Sequence, residues 1–448
     1  MERDQSNKLA MMPMNKLLVS MSLPMMVSFF IQALYNIVDS MFVAKLSEDA
    51  LTAVSLAFPV QQVITAIGVG TGVGVNALVP RYMGQGEPRK ANLVANTAVL
   101  LCICYSVVFL ILGLTIVSPY YQVQTNVASI ADGGITYLTI VVCVSAGVFF
   151  GQIFEKLLVC NGYSTLAMLS QASGAVFNLV FDPLLIFGLG PFPRMGIAGA
   201  ALATVLGQIL GALIAFILNL KRNPNIRFRW LLLRPNGMVV SILSVGFPSM
   251  ITMGLSSATT FCVNQILLLY STTATAVYGI WMKLQNFCYM PVFGMNNGMV
   301  PILSYNLGNK RYGRIREAIR LAVISILGLM VTLAVIFELI PDKVLAMFSA
   351  SETMTRIGLV ALRFCCCALP FGALCVIFSS SMQALGYARW TLVVNILRQF
   401  VLLVVLFGLF HLLFHNLDVL WAAVPLAECI SCLLAIFLAR RMLESLKR

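Results

Sequence analysis

The sequence predicts an all-α integral membrane protein whose twelve transmembrane helices form two parallel repeats of six. Three observations predict this fold class. Sixty per cent of the residues are hydrophobic and only 10% are charged, with a mean hydropathy of +0.94, which is too apolar for a protein with a wetted surface. Apolar stretches recur at the length that a helix needs to cross about 30 Å of hydrocarbon. The second half of the 448-residue chain also resembles the first half.

The internal repeat has a constant displacement of 224 residues, half of the chain. Pro24 aligns with Pro248, and Gly162-Tyr163 aligns with Gly386-Tyr387. Further matches pair Gly70, Gly74 and Gly84 with Gly294, Gly298 and Gly308. These residue types lie at helix breaks and loops, so their matches indicate a duplicated membrane domain, an architecture that recurs among secondary transporters.

Six apolar spans are predicted in each half of the chain. Those of the first half lie at residues 15–42, 50–79, 92–117, 133–158, 164–189 and 195–219. Those of the second half lie at residues 238–269, 275–304, 317–338, 355–383, 391–415 and 418–439. Because six is even, both halves have the same orientation and are related by a pseudo-twofold axis along the membrane normal. The first span is too long for a cleavable signal peptide.

The repeat and the spans divide the chain into five segments. These are a cytoplasmic N-terminal tail (1–14), an N-lobe (15–219), a cytoplasmic linker (220–237), a C-lobe (238–440) and a cytoplasmic C-terminal tail (441–448). The linker contains the densest basic run, from Lys221 to Arg234. This run is typical of an amphipathic segment that lies on the membrane surface.

The positive charges predict the orientation in the plasma membrane. With a cytoplasmic N-terminus, the outer loops hold only Lys45, Arg194, Lys343 and Arg356 of the 29 Lys and Arg residues, and most of the others lie in inner segments. This asymmetry places both termini in the cytoplasm. It also accounts for the net charge of +13 through contact with anionic lipid, without a nucleic-acid partner.

Polar residues at membrane depth predict one ion site in the first repeat. Asn178 and Asp182 are four residues apart in the fifth span, so both project from one helix face. Asp182 lies roughly 27 Å along this span at 1.5 Å per residue, and Asp39 and Thr204 lie at a similar depth in the first and sixth spans. Two carboxylates, an amide and a hydroxyl are oxygen ligands suited to Na⁺, and the acids could instead take up H⁺. The alternative is that both acids are solvated at the outer interface.

The second repeat does not keep this polar set. The equivalents of Asp39, Asn178 and Asp182 are Val263, Leu402 and Leu406, whereas Thr204 aligns with Glu428. A packing requirement common to both repeats would have kept polar residues in both. The asymmetry therefore favours a functional role in the first repeat.

Other polar residues within the spans leave two interpretations open. Glu155 either contacts a cationic substrate or pairs with the adjacent Lys156 near the inner interface. Arg398 and Glu428 are expected to form a structural pair. His411 and His415 have a spacing that can bind zinc but lack a full ligand set, and the cysteines are expected to be packing residues. No metal site, cofactor or catalytic set is predicted, so the chain is not expected to be an enzyme.

Further candidates concern the substrate cavity and a helix bend. Pro24 lies 15 residues before Asp39 on the first span, and a proline inside a helix removes a hydrogen bond and bends it. Aromatic side chains can line a cavity for flat cations. The candidates for the cavity, beside Glu155, are Tyr35, Tyr278, Trp281 and Met282.

Several segments resemble those of the multidrug and toxic compound extrusion (MATE) family, over nearly the whole chain. The most specific are NLVFDPLLIFG in the fifth span and GIAGAALAT in the sixth; SLPMMVSFFIQALYNIVDSMFVAKL, VPRYMGQGEPRKA and VPILSYNLGNKR support them. The resemblance implies two six-helix lobes in a V-shaped arrangement around a central cavity. It implies export of organic cations or other amphipathic drugs in exchange for H⁺ or Na⁺.

The same resemblance assigns roles to individual residues. It carries the family's first-lobe ion site onto Asp39, Asn178, Asp182 and Thr204, and the family's bending proline onto Pro24. Glu155 matches an acidic residue of the MepA-like multidrug exporter branch, although members of that branch can carry Asn at the position of Asp39. The carboxylate that another branch uses in the seventh span is missing, because residues 248–269 contain no acid.

The expected function is ion-coupled multidrug efflux by a monomer through alternating access of the two lobes. One alternative is a flippase for a lipid-linked or amphipathic precursor, which would need cavity-facing cations such as Lys283, Arg363 or Arg398. A channel would show faster flux without exchange stoichiometry. A membrane enzyme is disfavoured because no catalytic set is present.

Overall fold

The computed structural model describes residues 8–228, 236–346 and 351–445, and every regular element in these ranges is helical. The outermost parts of both predicted tails and the middle of the predicted linker lie outside the described residues. The first half contains α1 (Met14–Ala44), α2 (Glu48–Gly84), α3 (Pro88–Thr115), α4 (Val117–Gln124), α5 (Ala128–Cys143), α6 (Ala146–Val159), α7 (Ser164–Phe187) and α8 (Ile197–Arg222). The second half contains α9 (Met238–Leu268), α10 (Thr272–Gly308), α11 (Tyr312–Leu339), α12 (Pro341–Ala346), α13 (Glu352–Cys366), α14 (Ala368–Ala384), α15 (Ala388–Ile396), a π-helical turn (Leu397–Val401), α16 (Leu402–Phe414), α17 (Leu417–Leu420) and α18 (Ala423–Ser445).

The helix bounds reproduce the sequence repeat. Helices α1, α2 and α3 begin at residues 14, 48 and 88, and α9, α10 and α11 begin 224 residues later at 238, 272 and 312, with identical lengths within each pair. The fourth span of each half is bent at an equivalent place, by 42° between α5 and α6 and by 40° between α13 and α14. The predicted all-α fold with repeated halves is confirmed.

Most of the predicted spans meet the length and composition of a membrane helix. Among the described residues, nine helices are long and apolar enough to cross a membrane, and the two bent pairs bring the number to eleven. Helix α10 is the remaining predicted span. It carries Lys283 and several amides but has the same 37-residue length as its repeat partner α2, so the twelve-helix arrangement is kept.

The chain forms two compact units whose boundaries fall inside α1 and α9. Unit 1 contains residues 8–12 and Leu23–Met250, and unit 2 contains Pro13–Ser22 and the described residues from Ile251 onward. The N-terminal turns of α1 therefore belong to unit 2, and the N-terminal turns of α9 belong to unit 1. The boundaries lie within two residues of Pro24 and Pro248, the prolines inside these two helices.

Close packing on glycine explains where these helix ends belong. In unit 2, a Cβ added to Gly298 would lie 2.7 Å from the backbone of Met21 and of Ser22. In unit 1, a Cβ on Gly70 would lie 3.0 Å from the carbonyl oxygen of Gly246, and a Cβ on Gly74 would collide with the carbonyl oxygen of Ile242. Small residues let helix backbones approach in this way. The predicted lobe limits at residues 15 and 238 do not include this exchange of helix ends.

Candidate functional site

Helices α7 and α8 contact each other through glycine, and this contact positions the predicted ion ligands. A Cβ on Gly174 would lie 2.6 Å from the carbonyl oxygen of Gly207, and a Cβ on Gly207 would lie 2.7 Å from that of Gly174. A second close approach joins Gly199 to the Leu185 backbone. Because Gly174 and Gly207 are within about a turn of Asn178 and Thr204, the two helices present these side chains to each other.

Asn178 links Asp182 to Thr204. In the amide orientation that satisfies both neighbours, the Asn178 nitrogen donates to Asp182 Oδ2 at 2.9 Å. Its oxygen accepts from Thr204 Oγ1 at 3.3 Å and from the Thr204 backbone N–H at 3.1 Å. Asp182 is 0% exposed and Asn178 is 3% exposed, so these groups are held away from the surface of the protein.

Asp39 of α1 completes the cluster. Its carboxyl group lies close enough to the Asp182 carboxyl group for the two groups to interact electrostatically. Two ionised carboxylates are acceptors only, so neither can satisfy the other without a bound cation or proton. Asp39 Oδ1 is buried and has no hydrogen-bond partner within the described ranges. The structure thus brings together the four residues Asp39, Asn178, Asp182 and Thr204.

Three further polar side chains border the cluster, and the sequence reasoning had named only Tyr35. The hydroxyl groups of Tyr35 and Tyr137 lie close enough to both carboxyl groups for electrostatic interaction. Tyr137 is buried on α5 and accepts a hydrogen bond of 3.1 Å from Gln61 Nε2 of α2. A tyrosine and a glutamine inside predicted spans were the available signal for these two residues, because buried polar groups need partners.

Helix α1 is also joined to α7 at residues that precede Asp39 in α1. Ser28 Oγ donates to Gln171 Oε1, and Gln171 Nε2 donates to Gln32 Oε1 at 3.3 Å. Ser28 is one turn after Pro24, which lies inside α1. These contacts connect the segment that follows the proline to the helix that carries Asp182.

The cluster is suited to a small cation. It contains two acids and two neutral oxygen donors, and neither acid forms an ion pair with Lys, Arg or His among the described residues. No group of three or more His, Cys, Asp and Glu side chains is arranged to hold a metal ion in the part of the chain that the structure describes. The two carboxylates can accept H⁺ directly. Together with the amide and hydroxyl oxygens of the cluster, they can instead coordinate a hard cation such as Na⁺.

The substrate-cavity candidates lie in different environments. Glu155 forms a buried ion pair with Lys156, with 3.2 Å between Oε1 and Nζ. This is the second of the two interpretations of Glu155, pairing with the adjacent lysine. In unit 2, Tyr278 and Trp281 are 2% and 1% exposed, and Tyr278 packs edge-on against Phe407. Met282 is half-buried. The structure does not bring Glu155 together with the Asp39 cluster through any hydrogen bond or ion pair that the described residues show.

Unit 2 holds a different charged group at the equivalent place. Arg398 Nε donates to Glu428 Oε2 at 2.6 Å, and its Nη2 donates to the Tyr289 hydroxyl at 3.3 Å. Arg398 lies in the π-helical turn. A Cβ on Gly372 would collide with the Tyr289 hydroxyl and lie 2.9 Å from Glu428 Oε2, so the absence of a side chain there makes room for the pair.

Comparison with known proteins agrees with the repeat and the fold. The MatE family model matches residues 24–184 and again residues 248–408. The chain is 26% identical over 432 residues to the multidrug export protein MepA of Staphylococcus haemolyticus (strain JCSC1435), covering 94% of this chain and 92% of that protein. It is 24% identical to MepA of Staphylococcus aureus (strain MRSA252), covering 95% and 93%.

Two solved structures show the same fold. One is described as the outward-facing conformation of a multidrug resistance MATE family transporter of the MOP superfamily; it is 24% identical, with a TM-score of 0.91 over 99% of both chains. Another is a MOP superfamily transporter from Pyrococcus furiosus that is described as having a binding pocket of reverse polarity; it is 23% identical, with a TM-score of 0.89 over 99% of both chains.

Proposed function

The chain belongs to the MatE family, and from this we propose that it is a secondary active multidrug exporter driven by antiport with H⁺ or Na⁺. Its substrates would be organic, often cationic and amphipathic compounds, which agrees with the multidrug export for which its MepA relatives are named. We place it in the plasma membrane as a monomer with both termini in the cytoplasm. The positive-inside distribution of Lys and Arg supports this orientation.

One observation carries the proposal of ion coupling. Asp182 is fully buried beside Asp39, and no basic residue among the described ones forms an ion pair with either acid. A buried acid without a counter-charge costs a few kcal/mol or more in a membrane protein. Binding of a cation from solution removes that cost, so the state of this cluster can favour one conformation of the protein over another.

We assign the cation-coupling role to Asp39, Asn178, Asp182 and Thr204. Asp39 and Asp182 would supply the negative charge, and the Asn178 and Thr204 oxygens would complete the coordination. Moving a conformational equilibrium from 1:99 to 99:1 requires about 5.5 kcal/mol of differential binding. The free energy gained by neutralising a buried charge is of this size. The ion can therefore shift the conformational equilibrium by itself, without contact between the ion and the drug.

The helix bend and the drug cavity are further parts of the proposal. A bend at Pro24 would transmit the state of Asp39 along α1, supported by the contacts of Ser28 with Gln171. We retain Glu155, Tyr35, Tyr278, Trp281 and Met282 as candidate drug contacts. For Glu155 this requires exchange of its Lys156 partner for a cationic drug.

A flippase for an anionic precursor is less well supported. Such a protein needs unpaired cations to hold the head group. Arg398 is already paired with Glu428, and Arg363 lies 3.9 Å from Glu338. Of the three candidate cations, Lys283 alone forms no ion pair with a described residue, and one cation is fewer than such a head group needs.

Transport in proteoliposomes tests the proposal. Purified protein would be reconstituted with a fluorescent organic cation, and accumulation would be recorded under an imposed pH gradient and, separately, under an imposed Na⁺ gradient. The proposal expects one of the gradients to drive accumulation and identifies that ion as the coupling ion. Uptake that neither gradient affects would reject antiport.

A further inference from the structure

Unit 1 contains an apolar cavity that is lined by side chains of three spans. Its volume is about 550 Å³, within the range of about 300–1,000 Å³ that is usual for small-molecule sites. It is lined by residues between 96 and 103 of α3, between 146 and 154 of α6 and between 209 and 216 of α8, together with Phe228. None of these residues belongs to the Asp39 cluster.

The cavity opens onto the exterior of the unit 1 helix bundle, along its membrane-spanning segments. Its rim includes Leu213, 51% exposed, and Ile103, 36% exposed. Apolar residues exposed on membrane spans face acyl chains. Because α8 ends at Arg222, the lining residues from 209 to 216 lie about 9–20 Å from that helix end at 1.5 Å per residue. The cavity therefore occupies the half of the membrane next to the linker.

The start of the linker closes one end of this cavity and is fixed in place. Phe228 packs against Phe154 and Phe216, with ring centroids 5.8 and 5.6 Å apart. The linker backbone is held by side-chain amides of α3. Asn92 Nδ2 donates to the Asn225 carbonyl and Asn96 Nδ2 donates to the Arg227 carbonyl, both at 2.9 Å. Specific ring contacts and backbone hydrogen bonds thus hold the aromatic end of the cavity in place.

Two cations lie close along the chain to the linker end of the cavity. Lys221 follows the lining residue Phe216 by five residues in α8, and Arg227 directly precedes Phe228. Both are exposed, and neither forms an ion pair with a described residue. An apolar slot with cations at its membrane-surface end is complementary to an amphiphile that has an anionic head.

We propose that this cavity binds an anionic phospholipid of the leaflet that faces the linker, the cytoplasmic leaflet in the proposed orientation. One acyl chain lies against Phe150, Phe154 and Phe216, and the phosphate interacts with Lys221 and Arg227. Basic pockets between transmembrane helices on the cytoplasmic side recognise such head groups. The site is independent of ion coupling, and its lipid would be a resident ligand.

Photolabelling in a bilayer tests the site directly. The full-length protein would be placed in nanodiscs that contain phosphatidylglycerol with a diazirine near the middle of one acyl chain, and in matched nanodiscs with the phosphatidylcholine analogue. Labelled peptides would be identified by mass spectrometry. The proposal expects enriched labelling of residues 96–103, 146–154 and 209–216 with phosphatidylglycerol. Equal labelling by both lipids would reject head-group selection, and no enrichment at these residues would reject the site.

A charge variant with a matched control tests the head-group contacts. K221Q/R227Q removes the two exposed cations at the linker end of the cavity, and R440Q/R441Q removes two exposed adjacent cations near the end of α18. Since one near-surface cation contributes about fivefold in affinity, K221Q/R227Q should lower cavity labelling by phosphatidylglycerol at least about fivefold. R440Q/R441Q should leave it unchanged. Equal effects of the two variants would contradict specific contacts.

A cavity-filling variant tests the acyl-chain position. Ala212 lines the cavity, whereas Ala172 lines a separate shallow groove on α7. A212F should abolish labelling in the cavity, and A172F should not, with folding of both verified by size-exclusion chromatography and thermal midpoint. Unchanged labelling of a folded A212F would overturn the assignment. Displacement of the label by an exported cation would also overturn it, because the cavity would then be a drug site.

Discussion

The corresponding helix pairs of the two repeats carry different polar groups. In unit 1, Gly174 packs against Gly207, and this contact brings Asn178 next to Thr204. In unit 2, the position of Gly174 is taken by Arg398 and the position of Thr204 by Glu428, and these two side chains form an ion pair. The helix pair therefore presents Asp182 to Asp39 of α1 in one unit and holds a neutralised pair in the other.

This difference supports the proposal that unit 1 is the one that binds an ion from solution. The Arg398–Glu428 pair carries no net charge, and Tyr289 satisfies a further donor of the guanidinium. The acids Asp39 and Asp182 have no basic partner among the described residues and lie close enough to interact electrostatically. Two like charges buried close together are destabilised unless a counterion or a proton neutralises one of them. In the proposed function, unit 1 obtains that cation from outside the protein.

The backbone of unit 2 adapts to its larger side chain. The chain makes a π-helical turn at Leu397–Val401, around Arg398, and such turns often occur at functional or strained positions. Thr259 Oγ1 of α9 donates to the carbonyl of Gln399 at 2.5 Å, which satisfies a group in this turn. The equivalent region of α7 is a regular helix, since glycine needs no such adjustment.

The largest expected effect is that of D182N on transport. It keeps the shape of the side chain but removes the charge that holds the coupling cation, so ion-driven drug accumulation should fall by about 100-fold or more, equivalent to a few kcal/mol. The measurement is uptake in proteoliposomes. D132N, which neutralises an exposed acid of α5 in the same unit, serves as the control and should transport normally. Normal uptake by D182N would remove the coupling role.

The next largest effect is expected on the stability of unit 2. E428Q leaves the buried guanidinium of Arg398 without its counter-charge, which costs about 3–5 kcal/mol, and the thermal midpoint in detergent should fall sharply. R398M/E428L replaces both partners by apolar residues and should restore most of that loss. This double variant should also keep ion-driven transport. Loss of coupling in a folded R398M/E428L would show that the second unit contributes to the ion site.

G174A should damage the helix contact that positions the ion ligands. Its Cβ would lie 2.6 Å from the Gly207 carbonyl oxygen, so α7 must move away from α8 at a cost of about 1–3 kcal/mol. We expect a lower thermal midpoint and weaker ion dependence of transport. The control is G408A in α16, where an added Cβ meets nothing within 4 Å and where alanine favours the helix by about 0.5–1 kcal/mol. Equal tolerance of both substitutions would argue against the contact.

The smallest effect is expected for T204V. Valine keeps the shape of threonine but removes the hydroxyl that donates to Asn178 and can face the ion. Loss of one such hydrogen bond costs about 0.5–1.5 kcal/mol, so the ion concentration for half-maximal transport should rise by about three- to tenfold. T136V on α5 in the same unit is the control; its hydroxyl bonds only to the Asp132 carbonyl among the described contacts. A shift of equal size in both variants would argue against ligand character for Thr204.

The repeat could be predicted from the sequence because Gly, Pro and Tyr matches mark helix ends, and helix ends lie at the same offset as the matches. The grouping of Asp39, Asn178, Asp182 and Thr204 could be predicted because helical periodicity and depth constrain which side chains meet. These are local properties of each span together with the membrane thickness.

Other features depend on packing that the sequence pattern does not specify. The contacts of Tyr137 and Gln61 arise where α5 meets α2, and neither periodicity nor spacing relates these two helices. The exchange of helix ends at Gly298 and Gly74 is equally tertiary, since a glycine in an apolar span does not indicate which helix it will contact. The π-helical turn at Arg398 follows from the fit of one large side chain beside Glu428.

Counting bound cations tests the central comparison most directly. Purified protein in detergent would be analysed at the pH of the transport assay, by potentiometry for bound H⁺ and by ²²Na⁺ binding, for the wild type, D39N/D182N and R398M/E428L. At that pH, we predict that D39N/D182N loses the one cation bound by the two acids and that R398M/E428L keeps it. Equal cation binding by the wild type and by a folded D39N/D182N would contradict the assignment of the ion site to unit 1.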